Sequence, residues 1–141
     1  MTLKVLYVAA NMKSVFSTYV LDYLRNESAI EGRRIKLDCA ENKFRALKKI
    51  DEPYDLVIVE DLSLPSSRRM QTVFPENGLE ILKQAGEKKL IGIALTNGEE
   101  KRIIRCAKEW ADVCLVKNPG GETDHFDAQE LYKTIKRYSG F

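Results

Sequence analysis

The segment that most limits what this chain can fold into is Tyr54–Pro65, near the middle of the sequence. It opens with an apolar, mostly β-branched run that is too short for a helix. Such a run predicts a strand buried on both faces, as the strands of a parallel sheet are. Two acids, Glu60 and Asp61, then stand where this strand should end. Because ligands and chemistry in open α/β sheets lie at the carboxyl ends of the strands, Asp61 is the strongest candidate for a functional residue.

Four further apolar runs predict strands, and amphipathic segments between them predict helices. The additional predicted strands are Val5–Ala10, Ile35–Cys39, Leu90–Leu95 and Val113–Val116. Five strands that alternate with five helices, without repeats or linkers, indicate one doubly wound α/β domain over residues 1–141. We expect a flavodoxin-like parallel sheet in the strand order 2-1-3-4-5.

Local patterns between the strands give more detailed predictions. A short helix from Ala40 to Ile50 should bury Phe44, Leu47 and Ile50. The segment from Ser66 to Glu76 has no periodicity and predicts a long loop, which in a compact domain is often functional. Asn77 has the character of a helix cap, as does Asp127 before the last helix.

Composition excludes several classes of protein. The 141 residues carry a formal net charge of only +2, which argues against a dedicated nucleic-acid binder. The three cysteines form no CxxC pair, so we expect a reducing, cytoplasmic compartment. No apolar run approaches the roughly 20 residues needed to span a bilayer, so we expect no membrane segment.

Three polar residues follow neighbouring strands of the predicted sheet. Asp61, Thr96 and Lys117 stand at the carboxyl ends of the third, fourth and fifth strands. These ends are adjacent in the order 2-1-3-4-5, so the three side chains should converge. A carboxylate there can act as a nucleophile towards a phosphoryl group, while a hydroxyl and an ammonium hold its oxygens. The alternative is a structural ion pair between Asp61 and Lys117 without any phosphorylation.

Three motifs together resemble the receiver domain of two-component response regulators, along nearly the whole chain. The motifs are Asp61–Pro65, Asn77–Leu82 and Ala111–Lys117. The resemblance implies a flavodoxin-like domain, not an enzyme, that accepts a phosphoryl group from a histidine kinase on an aspartate with the help of magnesium. It implies that Asp61 is the acceptor, Thr96 the switch hydroxyl and Lys117 the phosphate-contacting lysine.

The chain departs from the family pattern at four places. The acidic pair that holds magnesium at the end of the first strand is replaced by Ala9 and Ala10. A cysteine, Cys114, stands where the family has a switch aromatic. The loop Pro65–Gly78 is longer than in the family, and Asn118 separates the usual Lys-Pro pair.

The missing acids leave Asp61 as the one carboxylate predicted to face magnesium. By strand alternation Glu60 should point to the opposite face of the sheet. Magnesium is the one cofactor that the resemblance implies, and the departures argue against a complete site for it.

We therefore predict a stand-alone, degenerate receiver-like signalling domain that acts through protein–protein interaction. Its partner would be a histidine kinase or an output protein, bound at the fourth helix, fifth strand and fifth helix, and the chain could form a homodimer. The loop from Ser66 to Glu76 is a second candidate contact. Two alternatives stay open: a conventional response regulator phosphorylated on Asp61, and a flavodoxin-like protein that binds a small molecule or nucleotide.

Overall fold

The structure is a computed structural model, and it describes residues 2–117 and 128–141. The elements, in chain order, are β1 (Thr2–Val8), α1 (Val15–Ile30), β2 (Arg34–Ala40), α2 (Lys43–Lys49), β3 (Leu56–Val59), β4 (Leu64–Pro65), β5 (Val73–Phe74), α3 (Pro75–Glu87), β6 (Ile91–Thr96), α4 (Lys101–Trp110), β7 (Val113–Val116) and α5 (Ala128–Ser139).

Five parallel strands form the central sheet in the order β2-β1-β3-β6-β7. Strands β1, β2, β3, β6 and β7 correspond to the first to fifth strands predicted from the sequence, so the predicted order 2-1-3-4-5 is confirmed. Helices cover both faces, which explains why the strands read as continuous apolar runs. One core lies between the sheet and helices α1 and α5, and the other lies between the sheet and helices α2, α3 and α4.

Strand β3 divides its side chains between the two cores. Leu56 and Ile58 face the core beneath α1 and α5, whereas Val57 and Val59 face the other core, and all four are fully buried. Each such side chain gains about 1.5–3 kcal/mol relative to full exposure. Burial on both faces fixes the position of the chain up to Val59. Glu60 and Asp61 directly follow this strand, so their backbone positions are also well defined.

The predicted inner face of the second helix is partly wrong. Helix α2 begins at Lys43, because the side chain of Asn42 caps it by accepting a hydrogen bond from the backbone N of Arg45 at 2.8 Å. In this register Ala46 is fully buried, and Phe44 lies 65% exposed. A turn of 100° per residue places these two residues on opposite sides of the helix.

The predicted loop from Ser66 to Glu76 has more structure than its sequence indicated. A two-stranded antiparallel ladder pairs Leu64 with Phe74 and Pro65 with Val73. Two-residue strands are too short to show the alternation from which a strand is recognised. The segment 66–72 between them is therefore closed off at its base by β4 and β5.

Asn77 is not a helix cap. Helix α3 begins two residues earlier at Pro75, whose fixed φ suits the first helical position. Asn77 lies inside the first turn with its side chain buried. Its Nδ2 donates to the backbone oxygen of Leu64 at 2.6 Å and to Oγ of Ser66 at 3.2 Å, which ties α3 to β4. The other predicted cap, Asp127, lies outside the described residues.

Replacing Asn77 with alanine should lower the free energy of unfolding by about 1–2 kcal/mol, because the carbonyl of Leu64 loses a buried donor. Urea denaturation measures this loss. Gln84→Ala is the matched control, since the side chain of Gln84 in the same helix donates to Oε1 of Glu80 one turn away at 3.3 Å. Equal stabilities for the two variants would contradict the role assigned to Asn77.

Candidate functional site at the carboxyl edge of the sheet

Asp61 lies two residues beyond β3, and both of its carboxylate oxygens have hydrogen-bond donors. Oδ2 accepts from the backbone N of Ala10 at 2.9 Å, and Oδ1 accepts from Nζ of Lys117 at 3.0 Å. Ala10 follows β1 and Lys117 follows β7, so the carboxylate joins the ends of three strands. Its side chain is 28% exposed, which leaves one side of it open to solvent.

Lys117 is positioned by the end of β7 and reaches across the edge of the sheet. Its backbone N donates to the carbonyl of Thr96 at 2.7 Å, and its side chain is only 12% exposed. The ammonium lies 4.3 Å from the ring centroid of Phe16, which is within cation–π distance. It also lies 3.5 Å from Oε2 of Glu60, so two carboxylates share one ammonium.

Glu60 lies on the α1 side of the sheet with Leu56 and Ile58, as expected from strand alternation, and the ammonium of Lys117 nevertheless reaches its carboxylate. The pairing with β1 extends to this residue, because the backbone N of Glu60 donates to the carbonyl of Val8 at 2.7 Å. The Glu60 side chain is 2% exposed. Its carboxylate accepts from the hydroxyl of Tyr7 at 2.5 Å and from Oγ of Ser17 at 2.7 and 2.8 Å.

Burial dominates the electrostatics of this carboxylate. Burial raises the pKa of Glu60, while the hydrogen bonds from Tyr7 and Ser17 and the ammonium of Lys117 oppose the rise. Burial, followed by the charge of Glu60, raises the pKa of the Tyr7 hydroxyl well above its ordinary value. Tyr7 therefore keeps its proton and acts as a hydrogen-bond donor.

Tyr7, Ser17 and Phe16 were not predicted from the sequence as partners of Glu60 and Lys117. Tyr7 lies in the apolar run that predicts the first strand, and nothing in that run distinguishes it from its neighbours. Ser17 and Phe16 lie on α1, and the register of that helix against the sheet decides that they face Glu60 and Lys117. A buried serine on an inward helix face was the one signal that could have pointed to a polar partner.

Thr96 shares the edge with Asp61 and Lys117 but not their side-chain contacts. It ends β6, lies opposite Val116 of β7, and is 5% exposed. Among the described residues its carbonyl binds Lys117, whereas no hydrogen bond joins its hydroxyl to Asp61 or to the lysine ammonium. The topology thus brings all three residues to one edge, and it brings two of them into direct contact.

Oxygen donors for a metal ion are few at this edge. Ala9 is fully buried and Ala10 contributes its backbone N to Asp61. Residues 2–117 and 128–141 contain no group of three or more histidine, cysteine, aspartate or glutamate side chains placed to hold a metal ion. Cys114 packs half-buried against the core beneath α2, α3 and α4.

No helix within the described residues combines the length and the apolar character needed to cross a bilayer.

No protein-family model matches the sequence, and no curated protein matches it. Solved structures do match. A CheY-like response regulator receiver domain protein from Methanospirillum hungatei JF-1 has a TM-score of 0.65 at 19% identity, with 99% of this chain and 95% of that chain covered. A putative response regulator from Chloroflexus aurantiacus J-10-fl has a TM-score of 0.65 at 20% identity, with both chains covered in full.

Chemotaxis protein CheY4 of Vibrio cholerae gives a TM-score of 0.62 at 20% identity, with 97% of this chain and 98% of that chain covered. Identities at this level show the fold and leave the activity to be argued from the site. The chain has the flavodoxin-like fold of response regulator receiver domains.

Proposed function

We propose that this chain is a receiver-like signalling domain of a two-component phosphorelay that acts through protein–protein interaction and without magnesium-dependent phosphorylation of Asp61. The fold supports the class of protein. The arrangement around Asp61 supports the absence of magnesium-dependent phosphorylation. The observation that carries it is the ammonium of Lys117, shared between Asp61 at 3.0 Å and Glu60 at 3.5 Å.

When a phosphoryl group is added to an aspartate, a lysine that contacts it must be able to move its ammonium towards the new negative charge. Here the Glu60 carboxylate is a second partner of the ammonium, and the ring of Phe16 packs against the same ammonium. Glu60 is itself held by Tyr7 and Ser17, so it cannot leave without breaking buried hydrogen bonds. The site is therefore occupied by internal partners that favour a single state.

The donor set also fits magnesium poorly. Magnesium requires near-octahedral oxygen coordination and usually takes one or two carboxylates together with phosphate oxygens and waters. The alanine side chains at positions 9 and 10 offer none, and both oxygens of Asp61 already accept hydrogen bonds. Among the described residues Asp61 would be the one carboxylate ligand, since the carboxylate of Glu60 is buried against Tyr7 and Ser17.

The proposed partner surface consists of α4, β7 and α5. It carries two exposed apolar side chains, Val116 at 55% and Tyr138 at 42% exposure. A histidine kinase or an output protein would bind there, and a second copy of the chain is the competing occupant. The three free cysteines favour a reducing compartment, so we place the protein in the cytoplasm.

Incubation with magnesium and acetyl phosphate tests the proposal, with intact-mass measurement as the readout. We expect the natural chain to gain no phosphoryl group. The variant Ala9→Asp with Ala10→Asp, which restores carboxylates at the end of β1, should bind magnesium more tightly when titrated with the ion, provided that circular dichroism shows it folded.

The rival interpretation is a conventional response regulator, which the 3.0 Å contact between Asp61 and Lys117 favours. It requires that the natural chain gain one phosphoryl group under the same conditions and that Asp61→Asn abolish the gain. That pair of results would overturn the proposal. Beryllofluoride binding followed by amide shifts around Asp61 gives an independent measurement.

A further inference from the structure

A groove of about 640 Å³ lies beside the Asp61 site, at the carboxyl ends of β1 and β2. Small side chains from these strand ends line it, namely Ala10, Cys39 and Ala40. Ala10 is also the residue whose backbone N binds Asp61, so the groove and the site share one segment of chain. Asp61, Thr96 and Lys117 do not line this groove, whereas Ser67 and Arg68 of the loop predicted as a second candidate contact do.

The other residues that line the groove come from α2 and from the segment 66–72 between β4 and β5. Phe44 and Arg45 belong to α2, and Arg68 belongs to the inserted segment. A backbone hydrogen bond from Phe44 N to Ser66 O at 3.0 Å joins α2 to the insertion. The ladder of β4 with β5 and the buried side chain of Asn77 hold the base of the insertion, so the groove is formed before any ligand arrives.

The groove presents positive charge that the chain does not neutralise. Arg45 and Arg68 are exposed, and within residues 2–117 and 128–141 neither forms an ion pair with a carboxylate. Glu41 also lines the groove, and its carboxylate accepts from the backbone N of Met12 at 3.2 Å. Arginine favours carboxylates and phosphates because its planar fork can bind them through two parallel hydrogen bonds.

The same groove presents apolar surface. Phe44 is 65% exposed. Outside the lining of the groove, the inserted segment and its flanking strand carry Met70, Val73 and Phe74, each more than 40% exposed. Aromatic residues and arginines are enriched at protein–protein interfaces, and here both occur in one concave site.

We propose that this groove binds an acidic peptide segment of a partner protein, with an apolar side chain of the peptide against Phe44 and its carboxylates on Arg45 and Arg68. The inference rests on the proposed function only in that the chain acts by binding protein. It adds a surface distinct from α4, β7 and α5. A nucleic acid fits less well, because its binding draws mainly on contacts to many phosphates and the chain as a whole has a net charge of only +2.

Fluorescence anisotropy with short fluorescein-labelled peptides tests the proposal. The probe has a tryptophan and a leucine flanked on each side by aspartates, and its control has the aspartates replaced by lysines. We expect the natural chain to bind the acidic peptide and not the basic one. Arg45→Glu with Arg68→Glu should weaken binding by about tenfold or more, equivalent to about 1.4 kcal/mol. Phe44→Ser should weaken binding by a similar factor, and this loss should persist in high salt.

The matched control is Arg34→Glu with Lys36→Glu, which makes the same charge change on exposed residues at the opposite end of β2. It should change binding by less than about twofold, because the Debye length at physiological ionic strength is about 8 Å. Three outcomes would overturn the inference: no peptide binding, equal loss in the control variant, or tighter binding of a single-stranded oligonucleotide than of the acidic peptide. Phosphorylation of Asp61 would refute the proposed function and leave the peptide result unaffected.

Discussion

Replacing Lys117 with methionine should lower the free energy of unfolding by about 3 kcal/mol at neutral pH. The substitution keeps the apolar stem and removes the ammonium, which leaves the Glu60 carboxylate, 2% exposed, without its cation. Removing one partner of a buried ion pair typically costs about 3–5 kcal/mol, and the hydrogen bonds from Tyr7 and Ser17 place this case at the lower end. Urea denaturation at constant m measures the loss.

A double-mutant cycle separates the charge effect from simple loss of packing. Glu60→Gln introduced together with Lys117→Met should recover much of the stability, because a neutral amide in the same place needs no cation. Lys36→Met, at an exposed position on β2, should change stability by less than about 0.5 kcal/mol. If the double variant were as unstable as the sum of the single variants, Glu60 and Lys117 would not be energetically coupled, and Glu60 would not be the partner that holds the ammonium.

Replacing Gly78 with alanine should lower the free energy of unfolding by about 3 kcal/mol. A Cβ atom at this position in α3 would lie 2.5 Å from both Cα and the backbone oxygen of Leu62, and neither atom can move without shifting the chain. The substitution would also disturb the hydrogen bond from Gly78 N to Leu62 O, now 2.9 Å. Overpacking of this kind costs about 1–3 kcal/mol or more, and contact with backbone atoms favours the upper end.

Gly86→Ala, in the same helix, should raise the free energy of unfolding. The nearest atom to a Cβ there is the backbone oxygen of Trp110 at 3.9 Å, which is ordinary van der Waals contact. Alanine at such a helical position stabilises by about 0.5–1 kcal/mol. Thermal denaturation of the two variants side by side measures the difference. A Gly78→Ala variant as stable as the natural chain would contradict the close packing of α3 on the segment that follows Asp61.

The Gly78 contact also connects the helix to the site. Leu62 is fully buried and directly follows Asp61, so a displaced Leu62 backbone would move the carboxylate from Ala10 and Lys117. We therefore expect amide shifts at Ala10 and Lys117 in any Gly78→Ala protein that still folds. Helix propensity alone would rank the two glycines together, and only the tertiary contact separates them.

Strand order and the pairing of Asp61 with Lys117 could be predicted from the sequence because both depend on regular geometry. Five apolar runs separated by amphipathic helices leave few ways to wind a parallel sheet, and the carboxyl ends of adjacent strands must meet. The neighbourhood of Asp61 and Lys117 is confirmed by their 3.0 Å contact. The roles proposed for Asp61, Thr96 and Lys117 in phosphoryl transfer stay predictions.

The surroundings of that pair were decided by tertiary structure alone. Glu60 meets Lys117 because the lysine side chain reaches across the edge of the sheet from the end of β7, and no sequence pattern indicates that reach. Tyr7 and Ser17 became its donors through the register of α1 against β1. The groove exists because β4 and β5 hold residues 66–72 against α2, a pairing only two residues long on each strand.

Periodic patterns along the chain thus determined the sheet, its two cores and the edge where the polar residues lie, because burial of apolar side chains repeats with the period of the element that carries them. The buried carboxylate beside Lys117 and the basic, aromatic groove beside it have no such repeat. They arise where residues distant in the chain meet at strand ends and in an insertion, and there packing between elements selects the contacts.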